Sequence, residues 1–214
     1  MQKWKKDESL YNCSRKDGKK DIDYKSTYVN EFLEKDPLRD WESIDRCIKL
    51  FKFCDGIVEG FDKGIRILDC GTKDCQFPVW LNKEGYDSIG MEISEKYVEY
   101  TESKGRPIRQ GNICKMVYYD NTFDITFAHH VLGLTLSYDL SLNEMMRVTK
   151  PGGYLITLND IPGNEKKHYD YIENVEEIED ILSPDRFYNH TKLYFDYPYE
   201  NDEFLILLRK NMLE

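Results

Sequence analysis

The chain has 214 residues, 40% of them hydrophobic and 33% charged, with a formal net charge of −10 at pH 7. That length is enough for one well-buried core, and no apolar run approaches the length of a membrane span. The acidic balance argues against broad, nonspecific binding to duplex DNA.

The opening segment runs against that balance. Residues 1–20 carry Lys3, Lys5, Lys6, Arg15, Lys16, Lys19 and Lys20 against Asp7, Glu8 and Asp17, so the segment is +4 and the remainder −14. With Trp4 and Tyr11, this basic arm is suited to touch RNA or an acidic partner; the alternative is a solvated tail. Its first residues, Met-Gln-Lys-Trp-Lys-Lys, lack the apolar core of a signal peptide, which points to the cytoplasm. The six cysteines, Cys13, Cys47, Cys54, Cys70, Cys75 and Cys114, fall at irregular spacings with no Cys-x-x-Cys pair. They read as reduced thiols rather than as a zinc site or a disulfide framework.

Helical periodicity follows from Tyr28 to Leu33 and again from Asp40 to about Phe53, where Trp41, Ile44, Ile48 and Phe51 share one face. Pro37 separates the two. Residues 1–60 thus read as a basic arm and a helical cap that packs on the following unit or covers its mouth.

From Gly64 onward, strand and helix alternate. Strands are predicted near 65–69, 88–92, 107–110, 123–128 and 153–158, with helices near 74–84, 95–104 and 139–149. Right-handed crossovers turn such a series into a parallel sheet flanked by helices. After Pro162 the pattern changes. A helix over Val175–Leu182 stops at Ser183-Pro184, and two strands follow, Lys192–Pro198 and Glu203–Arg209. Only Tyr199-Glu-Asn-Asp202 joins them, too short for a parallel crossover, so the sheet ends in an antiparallel hairpin. Residues 61–214 are read as one globular unit.

The chemistry concentrates in Ile65-Arg-Ile-Leu-Asp69-Cys-Gly71-Thr-Lys73-Asp-Cys75 and, further on, Ile89-Gly-Met-Glu92-Ile93. The run reads as strand, glycine turn, helix and second strand ending in an acid. Gly71 lets the backbone turn tightly, and a carboxylate at the tip of the neighbouring strand can accept both hydroxyls of a ribose. A dinucleotide site needs three glycines so that a pyrophosphate can rest on bare backbone. Lys73 and Cys75 stand at the second and third positions. An NAD-dependent enzyme is therefore the weaker reading.

These features together resemble the class I S-adenosylmethionine (SAM) dependent methyltransferases, most closely the type 11 group, over about 60–210. Ile67-Leu-Asp69-Cys-Gly71-Thr is similar to that family's first motif, and Gly90-Met-Glu92-Ile93-Ser94 to its acidic second strand. Gln110-Gly-Asn112-Ile113 stands at the place of its Gly-Asp-hydrophobic segment. Asn121-Thr-Phe-Asp124-Ile-Thr-Phe-Ala-His129-His130-Val-Leu132 resembles its fourth strand, and Arg147-Val-Thr-Lys-Pro151-Gly152-Gly153 its turn into the fifth. The resemblance implies an α/β, Rossmann-like, doubly wound and mostly parallel seven-stranded sheet, with a C-terminal antiparallel hairpin and N-terminal helices.

It also implies roles. Gly71 would let the methionine portion of SAM lie against backbone, with Asp69 organising water or amides around its charged groups. Glu92 would hold the ribose and Ile93 pack on adenine. Asn112 would meet the adenine amino group, with the Ile113 amide facing a ring nitrogen. His129 and His130, at the end of the fourth strand where the cofactor's methyl points, are the candidate catalytic groups, and His129 is expected to touch the cofactor as well. His168 and His190 read as surface or packing residues, while Tyr169 and Tyr171 are candidates to line a substrate opening.

Departures from the family pattern narrow the chemistry. Lys73 is expected to point outward. Gly133 and Leu134 stand where many relatives have Glu-His, which removes support for a metal-assisted mechanism. The strand-four sequence lacks the Asn/Asp-Pro-Pro-Tyr type box that holds a flipped exocyclic amine, and no Pro-Cys dipeptide offers a nucleophile for cytosine carbon methylation, so DNA base methylation is disfavoured. The acceptor is left as a small molecule, an RNA or protein side chain, or a modified sugar. A SAM-binding domain serving as an interaction module is the rival reading.

Overall fold

The computed structural model describes residues 41–135, 137–160, 190–194 and 203–212. At its centre, β1 (Arg66–Cys70) runs between β2 (Asp87–Glu92) and β4 (Phe123–His129), both parallel to it. β3 (Ile108–Gln110) extends one side, and β5 (Thr149–Asp160) continues the other, again in parallel. β7 (Glu203–Lys210) then pairs antiparallel with β5 and with β6 (His190–Tyr194). The result is one seven-stranded sheet in the order β3-β2-β1-β4-β5-β7-β6. The order reverses between β1 and β4, and the crevice outside the carboxyl ends of strands at such a point is where open α/β sheets take ligands.

Alternation along the strands supplies two cores. On one face, Ile67, Ile125, Phe127, Ile156, Leu205 and Leu207 pack under α1 (Trp41–Ile57) and α2 (Gln76–Lys83). On the other, Leu68, Cys70, Ala128, Leu155, Ile206 and Leu208 meet Leu142, Met145 and Met146 of α4 (Tyr138–Val148). A strand covered on both faces must be apolar at successive positions, as Phe204-Leu-Ile-Leu-Leu208 is. Between β2 and β3, α3 (Glu95–Ser103) starts at Ser94, whose hydroxyl accepts the Tyr97 amide, an N-cap that fixes where the chain leaves β2.

Some boundaries differ from the sequence expectation. β5 begins at Thr149 rather than near 153. Phe123 pairs with Thr149 and Ile125 with Tyr154, so Pro151-Gly152-Gly153 form an irregularity inside the strand. Glycine is required there, because a Cβ on Gly153 would lie 2.5 Å from the Asp124 carbonyl oxygen. α1 runs on to Ile57, and a short 3-10 turn, Leu132–Leu134, replaces loop after β4. β6 spans His190–Tyr194, earlier than the expected 192–198, with a register shift between Lys192 and Tyr194. The helices expected over 28–33 and 175–182, the basic arm, His168, Tyr169 and Tyr171 lie outside the described residues.

Candidate active site

The turn after β1 is stitched to β2. The amides of Gly71 and Thr72 both donate to the Met91 carbonyl, at 2.8 and 3.1 Å. Gly71 has φ +70, and a Cβ there would lie 2.4 Å from Val131 Cγ2, so both backbone and space demand glycine. Asp69, 5% exposed, accepts a 2.6 Å hydrogen bond from the Thr72 hydroxyl. Burial pushes its carboxyl up to about 7; the Thr72 bond opposes this and the neighbouring Glu92 charge adds to it.

Glu92 ends β2 as a buried carboxylate with both oxygens engaged. Oε2 accepts the Lys73 amide and Oε1 the Ser94 amide, each at 3.0 Å. Burial raises its carboxyl above the usual range while those amides pull it back. The group is thereby clamped across the tips of β1 and β2. Each oxygen can accept more than one donor, so the clamped carboxylate can still take a vicinal diol.

The two positions that lack the family's glycines have glycine-like backbones. Lys73 has φ 52 and Cys75 φ 62, in the left-handed region. Cys75 stands at the N-cap of α2 and donates its thiol to the Pro107 carbonyl at 2.9 Å. Its sulfur fills the space above Gly90, where a Cβ would approach it to 2.8 Å. Lys73 is half-buried, and its charge stabilises the ionised forms of both Glu92 and Cys47.

The segment after β3 joins the same edge through the Gly111 amide, which donates to the Glu92 carbonyl at 3.0 Å. Asn112 is 3% exposed, and its Oδ1 accepts the Cys114 amide at 2.8 Å. One lone pair of the expected adenine acceptor thus closes the local turn. Ile93 is half-buried, its carbonyl taking the Gln110 amide group at 3.3 Å, while the Ile113 side chain sits in the α4-side core with Met91 and Cys70.

At the tip of β4 the rings of His129 and His130 meet edge to face, centroids 4.4 Å apart. His130 has φ 53, its amide donates to the Leu158 carbonyl at 2.9 Å, and its Nε2 lies 2.6 Å from Glu203 Oε1. The Arg46 guanidinium of α1 donates to the same oxygen. The adjacent Cys47 feels Asp69: burial pushes its thiol well above the usual value, Asp69 adds to that, and Lys73 and Arg46 oppose it. Helix α1 thus carries Arg46 and Cys47 to the strand tips.

Asp69, Gly71, Glu92, Ile93 and Asn112 therefore share one edge, at the ends of β1 to β3, with His129 and His130 at the end of β4. Arg46 and Glu203 were not foreseen. They lie 157 positions apart, and no local pattern links them. Among the described residues no group of three His, Cys, Asp or Glu is placed to hold a metal ion, and no helix is long and apolar enough to cross a membrane.

Residues 68–157 match a family model described as a methyltransferase domain. An uncharacterized methyltransferase of Schizosaccharomyces pombe is 36% identical over 107 residues, which is 42% of this chain and 38% of that protein. A demethylmenaquinone methyltransferase of Geobacillus kaustophilus is 33% identical over 107 residues, 45% of each chain. The chain thus spans less than half the length of these curated relatives. Among solved structures, a protein of Pyrococcus horikoshii superposes with a TM-score of 0.66 at 18% identity, covering 86% of this chain and 98% of its own. That likeness is one of fold.

Proposed function

We propose that this chain, whose residues 68–157 match a methyltransferase domain model, is a class I, type 11-like enzyme that transfers a methyl group from SAM to an oxygen or nitrogen nucleophile. The observation that carries this reading is the pair of buried carboxylates at adjacent strand tips, Asp69 steadied by Thr72 and Glu92 by two backbone amides. Buried carboxylates held above their usual range favour a ligand that brings positive charge and vicinal hydroxyls, and SAM offers both. The donor set fits that cofactor.

In this reading Glu92 holds the ribose, Asp69 and Gly71 face the methionine portion, Ile93 lies against adenine, and Asn112 with the Ile113 amide meets its polar edge. SAM supplies a methyl on a sulfonium, an excellent leaving group, so orientation of the acceptor accounts for much of the rate. His129 or His130 takes the proton that the acceptor releases. Residues 61–214 form the catalytic unit in this reading, with α1 packed on it. The acceptor is a small molecule, RNA reached through the basic arm, or protein, with duplex DNA disfavoured and a cytoplasmic setting.

The test is calorimetry with SAM and its demethylated product. Replacing Glu92 with Ala removes hydrogen bonds to a charged group, so SAM binding should weaken by about 1.5–3 kcal/mol. Unchanged affinity in a folded Glu92→Ala protein rejects the pocket.

A further inference from the structure

We propose that Glu203 is a positioning residue: its carboxylate holds the His130 imidazole at the tip of β4 and ties that ring to Arg46 on α1. The consequence for turnover rests on the methyltransferase reading; the contact itself does not.

The topology explains why a residue so late in the chain reaches the site. β7 runs antiparallel to β5, so its first residue, Glu203, pairs with Asp160 at the end where the parallel strands finish. Along β7, Glu203, Leu205 and Leu207 share one side, and the two leucines pack in the α1-side core. Glu203 consequently emerges beneath α1, beside the histidines. His130 approaches from β4 in a left-handed backbone that non-glycine residues seldom adopt. Its ring is fixed on one side by the carboxylate and on the other by His129.

Stability alone is a poor account of this carboxylate. Glu203 is 5% exposed; Oε1 accepts from Arg46 and lies 2.6 Å from His130 Nε2, while Oε2 is buried with no hydrogen-bond partner among the described residues. A desolvated carboxylate satisfied on one oxygen is a costly way to fill space that an apolar side chain would fill as well. What it supplies is direction. With Nε2 held 2.6 Å from Glu203 Oε1, the other ring nitrogen is turned from the carboxylate and the His129 ring has a fixed neighbour.

The experiment is NMR of the imidazole groups in the 15N-labelled full chain, in the parent protein and in Glu203→Met and Arg46→Met, with SAM affinity read by calorimetry in each. The parent should show a His130 Nε2–H proton shifted downfield and slow to exchange. Glu203→Met should lose that signal while SAM affinity stays within about twofold, and Arg46→Met, which keeps the acceptor, should retain it. If Glu203→Met does not fold, Glu203→Gln replaces it, and the signal should then move upfield as the acceptor loses its charge. With an acceptor substrate in hand, kcat should fall at least tenfold with the KM for SAM unchanged. A ring proton that is missing in the parent, or identical with and without the carboxylate, overturns the proposal, as does unchanged kcat once the contact is lost. Absence of SAM binding to the parent would instead sink the methyltransferase reading, leaving the NMR result to decide the contact.

Discussion

Lys73 and Cys75 carry side chains on backbone conformations that glycine adopts freely. A left-handed non-glycine residue costs on the order of 1–2 kcal/mol. At Lys73 the amide is what the clamp on Glu92 uses, and any residue supplies an amide. Lys73→Gly should therefore leave SAM affinity within about tenfold. The protein should gain up to about 1 kcal/mol, since relief of the left-handed strain exceeds the extra chain entropy of glycine by little. Calorimetry and chemical denaturation read the two effects; a larger loss of affinity would show that the ammonium itself binds the cofactor. Asp69, Gly71 and Glu92 were legible in the sequence because each ends an apolar run or opens a turn, and local pattern decides such positions. The meeting of Arg46 with Glu203 was not, since it depends on which strands become neighbours.

Helix α1 was read from its periodicity as either a cap or a packed helix, and its contacts show a packed one. Phe51 is 2% exposed and its ring meets those of Phe61 at 5.2 Å, Tyr86 at 5.3 Å and Phe77 at 6.0 Å. Leu50 and Cys54 beside it are fully buried. Periodicity identified the face but not its partner, because an apolar stripe is the same whether it covers a mouth or a sheet. Truncating Phe51 to Ala leaves a cavity between α1, α2 and the sheet and should cost about 3–5 kcal/mol in denaturant unfolding. The same helix delivers Arg46 and Cys47 to the strand tips, so the variant should also bind SAM more weakly. A loss below about 1 kcal/mol would mean that α1 can detach without disturbing the core. The strand boundaries that sequence missed have a similar cause: Pro151-Gly152-Gly153 reads as a turn, yet the neighbouring β4 holds it within β5 through an irregular register.

Across the whole molecule, the perturbed acids lie at one end of the sheet, where the parallel strands finish, and this polarity should make global stability depend on pH. Asp69 is held at about 7 in the folded protein against an ordinary 3.8. The folded state binds this proton more tightly than the unfolded chain does, so its contribution is fully present below about pH 4 and is lost as pH rises through about 7. At roughly 1.4 kcal/mol per unit, the single-group ceiling is about 4 kcal/mol. Glu92, raised in the same direction by burial, adds to the trend. Asp69→Asn mimics the protonated acid and keeps an oxygen for the Thr72 hydroxyl. Without ligand, the variant should match the parent near pH 4 and exceed it in stability near pH 8, by an amount that grows across the interval. A cationic ligand reverses the preference by favouring the ionised carboxylate, so the stabilisation that SAM gives the parent should rise with pH through about 7 while that of the variant stays level. Denaturation curves for both proteins at a series of pH values, with and without SAM, read all four cases. Parallel curves for parent and variant would show that Asp69 ionises without cost in the folded protein, and its burial would then have no part in selecting a positively charged ligand.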